Sequence, residues 1–276
     1  MSIGERIALL GGWLRQALDA ERAAWFDLTL DALGAGAGER DLERALGLAS
    51  RKLGKADLAF TPEDFARAKR LRAGFDPAGL TIDQAARIAF LLAAAHADEQ
   101  GFPRRLARLY RTAALAESVA YLRGLPLFPG PFTLLPIAGE GVRSAVKPIF
   151  EAVAQRNPYP SEVFDLTAWN QMVLKALFIG SALAPIVGLA ERANPELAQV
   201  LLDYAHERWA ALRPVSPELW FCVGPFAEGR MLADVERAVT TGTPEERAAV
   251  ARALSSSPSE GVRAVLARHV ALDRGP

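Results

Sequence analysis

Signals for the start of a helix recur along this chain, and they limit its fold more than any other feature. A hydroxyl residue followed by proline and acidic residues begins three segments, at Thr61, Thr243 and Ser257. The hydroxyl accepts a hydrogen bond from an orphan backbone N–H, and proline at the first helical position gives up no bond that would be used. Shortened versions occur at Asn194 and Ser216. We therefore expect a helix to begin at each of these positions.

Apolar residues recur at intervals of three and four along most of the chain, as in TIDQAARIAFLLAAAHADEQ at residues 81–100. This spacing places them on one face of a helix. Alternating apolar and polar residues, which would indicate strands, are scarce. The pattern predicts an all-α protein with about ten to twelve helices.

Two capped segments near the C-terminus, TPEERAAVARAL and SPSEGVRAVLARHVA, have the same layout. Short helices with alanine, valine and leucine on one stripe resemble a HEAT-type unit, which buries its apolar face by stacking on neighbours. We therefore predict an irregular αα-solenoid, a HEAT-like helical repeat, that forms a single domain over residues 1–276.

The segment 124–141 contains four prolines and four glycines, a composition typical of a non-helical break. This segment either forms a loop over a groove or divides the chain into subdomains. The resulting parts would be N-terminal helices at 1–123, a central core at 142–226 and HEAT-like helices at 227–276.

Charge and cysteine content exclude several classes of function. Lysine plus arginine and aspartate plus glutamate each number 32, so the overall charge attracts neither nucleic acid nor anionic membrane. Basic residues are concentrated in segment 51–72, which is either a solvated face or an anion site. Cys222 is the only cysteine, which rules out an intrachain disulfide and a zinc site made of several thiolates. Its apolar neighbours should raise the pKa of the thiol and make it a poor nucleophile.

Targeting signals are not evident in the sequence. The chain has no run of about 18 uncharged apolar residues, which a membrane-spanning helix would need. The first 25 residues contain too short an apolar run for a signal peptide, with Glu5 where a positive charge is expected. We expect a cytoplasmic protein without membrane insertion.

The second half of NPYPSEVFDLTAWNQMVLKALFIG (residues 157–180) predicts a helix that is apolar on nearly every side. At 100° per residue, Gln171, Lys175 and Phe178 share one narrow sector. A helix that is apolar nearly all round is a buried helix. A buried ammonium group must find a partner or lose its proton.

The next long predicted helix supplies partners for this amine. Asp203, His206 and Glu207 are related as i, i+3 and i+4, so they share one face. We predict a buried network of Lys175 with Asp203 and Glu207, with Gln171 and His206 as hydrogen-bonding companions.

Three interpretations of this network are open. It fixes the register of two helices, as buried ion pairs often do, or it forms the floor of a small-molecule pocket with aromatic walls, or it binds a metal. A zinc helix motif would need a second histidine, and position 210 is alanine, so we expect no metal and no cofactor. The candidate pocket residues are Tyr159, Trp169, Asn170, Gln171, Lys175, Asp203, Tyr204, His206, Glu207, Trp209 and Trp220.

Four runs in the middle of the chain carry a resemblance to a known family, namely Asn157–Pro160, Trp169–Ala176, Asp203–Trp209 and Val223–Phe226. Through these runs the chain resembles the EboA family, which is associated with a conserved gene cluster for the traffic of secondary metabolites. ASRKLGKADL and DQAARI, earlier in the chain, are weaker matches. The resemblance implies a cytoplasmic helical protein that works beside a prenyltransferase and sugar-phosphate-type enzymes. It implies no particular catalytic residues.

We therefore expect a non-catalytic helical adaptor or small-molecule-binding protein that supports the handling or export of a precursor in secondary metabolism. Its expected partners are other proteins of the same gene cluster, through protein–protein interaction, and a small-molecule metabolite. The alternative is an enzyme acting on the precursor, with Lys175 and Asp203, His206 or Glu207 as its acid–base centre. A nucleic-acid-binding helical repeat is the third hypothesis, and the neutral overall charge disfavours it.

Overall fold

The computed structural model describes the backbone of residues 2–273 and the side chains of residues 2–269. In this part of the chain there are sixteen α-helices, and the only β-type pairing is one antiparallel bridge between Asp57 and Thr81. The all-α prediction is confirmed, but the predicted number of helices is too low. By its internal packing the chain separates into two compact units, Met1–Asp165 and Leu166–Pro276.

Ten of the helices belong to the first unit. They are α1 (Ile3–Ala17), α2 (Ala20–Gly34), α3 (Glu39–Leu53), α4 (Pro62–Leu71), α5 (Ile82–Ala97), α6 (Phe102–Thr112), α7 (Leu115–Arg123), α8 (Leu135–Arg143), α9 (Lys147–Ala154) and α10 (Tyr159–Val163). Two short 3₁₀ helices, Leu125–Leu127 and Pro131–Leu134, lie between α7 and α8.

The second unit contains the other six helices. They are α11 (Leu166–Phe178), α12 (Pro195–Ala210), α13 (Trp220–Val223), α14 (Met231–Thr240), α15 (Pro244–Leu254) and α16 (Glu260–Asp273), with 3₁₀ helices at Pro217–Leu219 and Gly224–Phe226. None of the helices in residues 2–273 combines the length and the apolar character that crossing a membrane requires.

The core of the first unit is organised around α5. Helices α1, α2, α3 and α7 all pack against it. Between Ile82 and Ala95 every residue of α5 except Gln84 is buried. The many alanines on this helix let its neighbours approach closely on several sides, so that the helix is enclosed rather than half-exposed.

Three of the predicted helix starts are confirmed. Thr61 and Thr243 each accept from the backbone N–H three residues later, and the acid there reaches back to the backbone N–H of the threonine. Asn194 caps α12 through a 2.9 Å bond from the backbone N–H of Leu197 to its Oδ1. These caps depend only on residues within one turn, which explains why the sequence predicts them.

The helix starts predicted at Ser257 and Ser216 are wrong in detail. The helix expected at Ser257 begins at Glu260, because the Ser257 hydroxyl is buried and donates to the carbonyl of Gly224 at 2.7 Å. Ser216 precedes only a 3₁₀ turn, without a side-chain cap. A tertiary hydrogen bond has taken precedence over the local cap at Ser257.

The predicted non-helical break at 124–141 is also wrong. This segment lies within the first unit and contains both of its 3₁₀ helices and most of α8. Pro126, Pro131 and Pro136 each occupy the first turn of one of these helices, where proline's missing N–H costs nothing. Such short helices, together with α10 and α13, are too brief to show periodicity, which explains the underestimated count.

Candidate functional site

The polar sector of α11 was predicted to face the core, and this prediction is wrong. The buried side of α11 consists of Trp169, Met172, Val173, Ala176 and Leu177. Gln171 and Phe178 are exposed, and Lys175 is half-buried. The 100° rule therefore groups these three residues correctly, but their sector lies on the outer side of the helix.

The acidic and histidine side chains of α12 are exposed as well. Leucine and alanine residues fill its inner face, which leaves Asp203, His206 and Glu207 on the outside. Asp203 accepts a hydrogen bond from Gln199 Nε2 at 2.9 Å, and His206 Nε2 lies 2.7 Å from Asp234 Oδ1. The predicted burial of the network is therefore wrong, because Asp203, His206 and Glu207 are exposed, whereas the pairing of Lys175 with these acids stays a prediction.

Asn170 has a structural partner in the same unit. Its Nδ2 donates to Asn194 Oδ1 at 3.3 Å, and Asn194 Nδ2 donates to Asn170 Oδ1 at 2.9 Å. Because Asn194 is also the N-cap of α12, this amide pair joins the middle of α11 to the start of α12. It explains why an apolar helix carries an asparagine at this position.

Two tryptophans of the predicted pocket stack with arginines. The guanidinium of Arg192 lies 4.7 Å from the ring centroid of the buried Trp169. That of Arg237 lies 4.2 Å from the ring of Trp209, which also stacks with Trp220 at 6.4 Å. Such cation–π contacts stabilise packing in the second unit.

The tyrosines of the predicted pocket are anchored to backbone carbonyls. Tyr204 donates to the carbonyl of Leu177 at 3.4 Å and packs edge-on against Phe178. Tyr159 lies in the first unit, where it is fully buried and donates to the carbonyl of Pro131. Burial raises the pKa of Tyr159 above its ordinary value, so its hydroxyl stays protonated. A ligand-binding role for these residues stays a prediction.

The described residues offer neither a cluster of metal ligands nor a reactive thiol. In the described residues no group of three or more histidine, cysteine, aspartate or glutamate side chains is close enough to hold a metal ion. Cys222 is buried, and that burial raises the pKa of its thiol to about 12, as predicted from its apolar neighbours.

A buried ion pair does exist, but it lies in the first unit and was not predicted. On α5, Arg87 and Asp83 are 3% and 4% exposed, and their side chains meet at 2.6 Å. Arg87 also donates to the carbonyl of Leu46 at 3.1 Å and to Ser50 Oγ at 2.9 Å. The available signal was an acid and a base four residues apart in DQAAR, within an otherwise apolar helix.

Hydrogen bonds keep Asp83 ionised despite its burial. Burial by itself raises the pKa of Asp83, but donation from Ser50 and Thr81 at 2.6 Å each, together with Arg87, outweighs it. The pKa of Asp83 is therefore lower than usual. Because protein groups supply the partners of both Asp83 and Arg87, the ion pair is a structural network rather than a ligand site.

A cavity of about 690 Å³ in the first unit is the stronger candidate for a binding site. Its lining combines apolar side chains, prolines and four charged groups. The lining residues are Ser2, Ile3, Arg6, Leu71, Arg72, Ala73, Glu99, Leu125, Pro126, Phe128, Pro129, Gly130, Pro131 and Glu162. The volume falls within the usual range of about 300–1,000 Å³ for small-molecule sites.

Two arginines hold one wall of this cavity in place. Arg6 Nη1 donates to the carbonyl of Leu127 at 2.5 Å, and Arg72 Nε donates to that of Pro126 at 2.9 Å. Arg72 also pairs with Glu162, with Nη1 2.8 Å from Oε1. The segment 124–141 thus contributes residues to the wall of this cavity.

The electrostatics of the cavity suit binding better than proton transfer. Burial and then the neighbouring charge of Arg72 lower the pKa of Arg6, against the opposing charges of Glu99 and Glu5. A guanidinium nevertheless stays protonated at neutral pH and recognises carboxylate or phosphate groups through its N–H donors. Arg72 lies at the end of the basic segment 51–72, whereas nothing in the sequence pointed to Arg6.

Within the described residues, the fold is all-α and its first unit carries an open pocket of small-molecule size. The family model described as "Metabolite traffic protein EboA" matches residues 6–224. The chain therefore belongs to the EboA family, which confirms the resemblance found in the sequence. No curated protein and no solved structure matches the chain.

Proposed function

We propose that this protein is a non-catalytic helical protein that binds a small metabolite in the 690 Å³ cavity of its first unit. The observation that carries the proposal is the cavity itself, whose walls combine two arginines and two glutamates with an apolar, proline-rich surface. Such a lining suits a ligand with an anionic or hydroxylated end and an apolar body. Most of the lining lies within the residues that match the family model.

The proposed role is the handling or export of a metabolite precursor, together with other proteins of the same gene cluster. The family description, a metabolite traffic protein, supports this setting. We keep the HEAT-like assignment of the C-terminal helices within this proposal. The packing of α14 against both α15 and α16 supports it, since HEAT helices bury their apolar stripes by such stacking.

Filling the cavity tests the proposal. Ala73 lines the cavity and is exposed, so Ala73→Trp fills space without removing a hydrogen-bonding group. Ala24, on α2, is also exposed and lines none of the described cavities, so Ala24→Trp is the matched control.

Small molecules that co-purify with the native chain would be extracted and identified by mass spectrometry. We expect a compound in the wild type and in Ala24→Trp that is depleted at least tenfold in Ala73→Trp. Equal recovery from all three proteins, or no compound from any of them, would contradict the proposal.

A further inference from the structure

A second, smaller pocket of the first unit contains two arginines and shares no lining residue with the 690 Å³ cavity. Its volume is about 210 Å³, and its walls come from the loop before α5, from α7, from α9 and from the residues after α9. The charged side chains of its lining are Arg123, Glu151 and Arg156.

Arg123 enters this pocket with only neutral partners. Its Nη1 donates to the Gly79 carbonyl at 2.5 Å and to Gln84 Oε1 at 3.1 Å, and its Nη2 donates to the Ala78 carbonyl at 2.7 Å. These three bonds use the donors on Nη1 and one of the two on Nη2, and none of them uses the Nε–H of Arg123. Among the described side chains, no carboxylate lies within ion-pair distance of Arg123.

Arg156 brings a second positive charge to the same pocket. Its Nε lies 3.2 Å from Asp76 Oδ2, so this carboxylate pairs with Arg156 and acts on Arg123 only through its charge at a longer distance. The pKa of Arg123 is lowered to about 10, mainly by burial and then by the charge of Arg156, while the charge of Asp76 acts in the opposite direction. The two arginines and Asp76 thus carry a net charge of +1.

The buried side chain of Asn157 joins the backbone at the end of α7 to the backbone around the end of α9. Its Nδ2 donates to the carbonyl of Leu122 at 3.2 Å and to that of Ala152 at 3.1 Å. Leu122 precedes Arg123, and Asn157 follows Arg156, so this bond fixes the neighbours of both arginines. Arg156 itself has a left-handed backbone, with φ of 52°, a strained conformation for a residue other than glycine.

We propose that Arg123 and Arg156 form a binding site for a phosphate group, either inorganic phosphate or the phosphate of a small monoester. The oxygens of a phosphate can accept from the N–H groups of both arginines, and the net charge of +1 of the two arginines and Asp76 neutralises part of the phosphate charge. A planar carboxylate would use one guanidinium fork only. Glu151 also lines the pocket, 3.7 Å from Lys147, and its charge weakens the affinity for an anion.

The test measures the melting temperature of the full-length protein in sodium phosphate and in sodium chloride at equal ionic strength. A ligand that binds only the folded state stabilises it by RT ln(1 + [L]/Kd), so the melting temperature rises with the ligand concentration. Because phosphate also stabilises folded proteins by exclusion from their surface, we expect its advantage over chloride to be larger in the wild type than in Arg156→Gly. Isothermal titration with inorganic phosphate should give an affinity at least tenfold weaker in Arg156→Gln and Arg123→Gln.

Matched variants separate binding from folding. Arg156→Gly removes the charge and relieves the left-handed backbone, so it should lose the phosphate effect while melting no lower than the wild type. Arg40→Gln, an exposed arginine on α3, should keep the phosphate effect. Glu151→Gln should strengthen phosphate binding severalfold, and Ala73→Trp should leave it unchanged, which distinguishes this site from the larger cavity.

Three results would overturn the proposal. One is a phosphate response no larger than that to chloride in the wild type, and another is unchanged phosphate affinity in Arg156→Gly. The third is an equal response to acetate, since that would assign the site to carboxylates.

Discussion

Helices α5 and α11 are both strongly apolar, and each carries one lysine or arginine, yet the two side chains have different environments. Arg87 of α5 is 3% exposed, whereas Lys175 of α11 is half-buried. One turn before Arg87 lies Asp83, which forms its ion pair, but the residues one turn before and after Lys175 are Gln171 and Ile179.

A charge can be buried when its counter-charge belongs to the same helix and neutral acceptors come from the next one. Arg87 meets both conditions, because α3 supplies the Leu46 carbonyl and the Ser50 hydroxyl. The planar guanidinium also makes several bonds at fixed angles, which a lysine ammonium does not do. When a basic residue of an apolar helix has no acid one turn away on the same helix, we therefore predict that it lies at the edge of the helix's buried face.

Breaking the buried pair of α5 should have the largest effect. Arg87→Met leaves Asp83 buried without its counter-charge, which typically costs about 3–5 kcal/mol. Urea denaturation would measure the loss in the free energy of unfolding. The control is the double variant Asp83→Leu with Arg87→Met, which should recover much of that loss because no lone charge remains. A loss below about 1 kcal/mol in Arg87→Met would contradict the structural role of the pair.

Acid should remove the contribution of Asp83. Its folded-state pKa is lower than the unfolded value of about 3.9, so unfolding at low pH takes up a proton. The stabilisation is complete above the unfolded pKa and is lost as the pH falls through the folded pKa, by at most about 1.4 kcal/mol per pH unit. Urea titrations from pH 6 to pH 3 should show the wild type converging on Asp83→Asn. A constant difference between the two proteins over this range would disagree with the lowered pKa.

The amide pair between α11 and α12 should have an intermediate effect. Asn194→Ala removes the N-cap of α12 and the partner of Asn170, and loss of a cap costs about 0.5–2 kcal/mol. A double-mutant cycle with Asn170→Ala, measured by urea denaturation, should give a coupling energy above about 0.5 kcal/mol. Additive losses would mean that the two amides act independently.

The smallest effect is expected on the outer face of α12. Glu207→Gln and Asp203→Asn change exposed side chains, and such changes usually alter the free energy of unfolding by no more than about 0.5 kcal/mol. The same urea assay measures them, with Arg87→Met as the positive control. A loss above about 2 kcal/mol in either variant would revive the buried network with Lys175.

The sequence predicted those features that depend on residues within a turn or two of each other. The helical class and the caps at Thr61, Thr243 and Asn194 are of this kind. The sector shared by Gln171, Lys175 and Phe178 was also correct, but the side that it faces depends on distant packing.

Distance in the sequence explains the other failures. The 690 Å³ cavity combines Arg6, Arg72 and Glu162, which no local pattern connects. Ser257 lost its predicted capping role to a carbonyl 33 residues earlier. The Asp83–Arg87 pair was the exception, because its i, i+4 spacing was visible in the sequence and was overlooked.

The hydroxyl of Ser257 also shows that the limit of the family match is not a place to cut the polypeptide. The match ends at residue 224, where the carbonyl of Gly224 receives that hydroxyl, and Ser259 binds the carbonyl of Ala227 in the same way. Helix α15 covers α13, so an expression clone shortened to residue 224 would uncover Trp220, Cys222 and their apolar neighbours. Such a fragment would be prone to aggregate, and its inactivity in any assay would be uninformative about the family's own role.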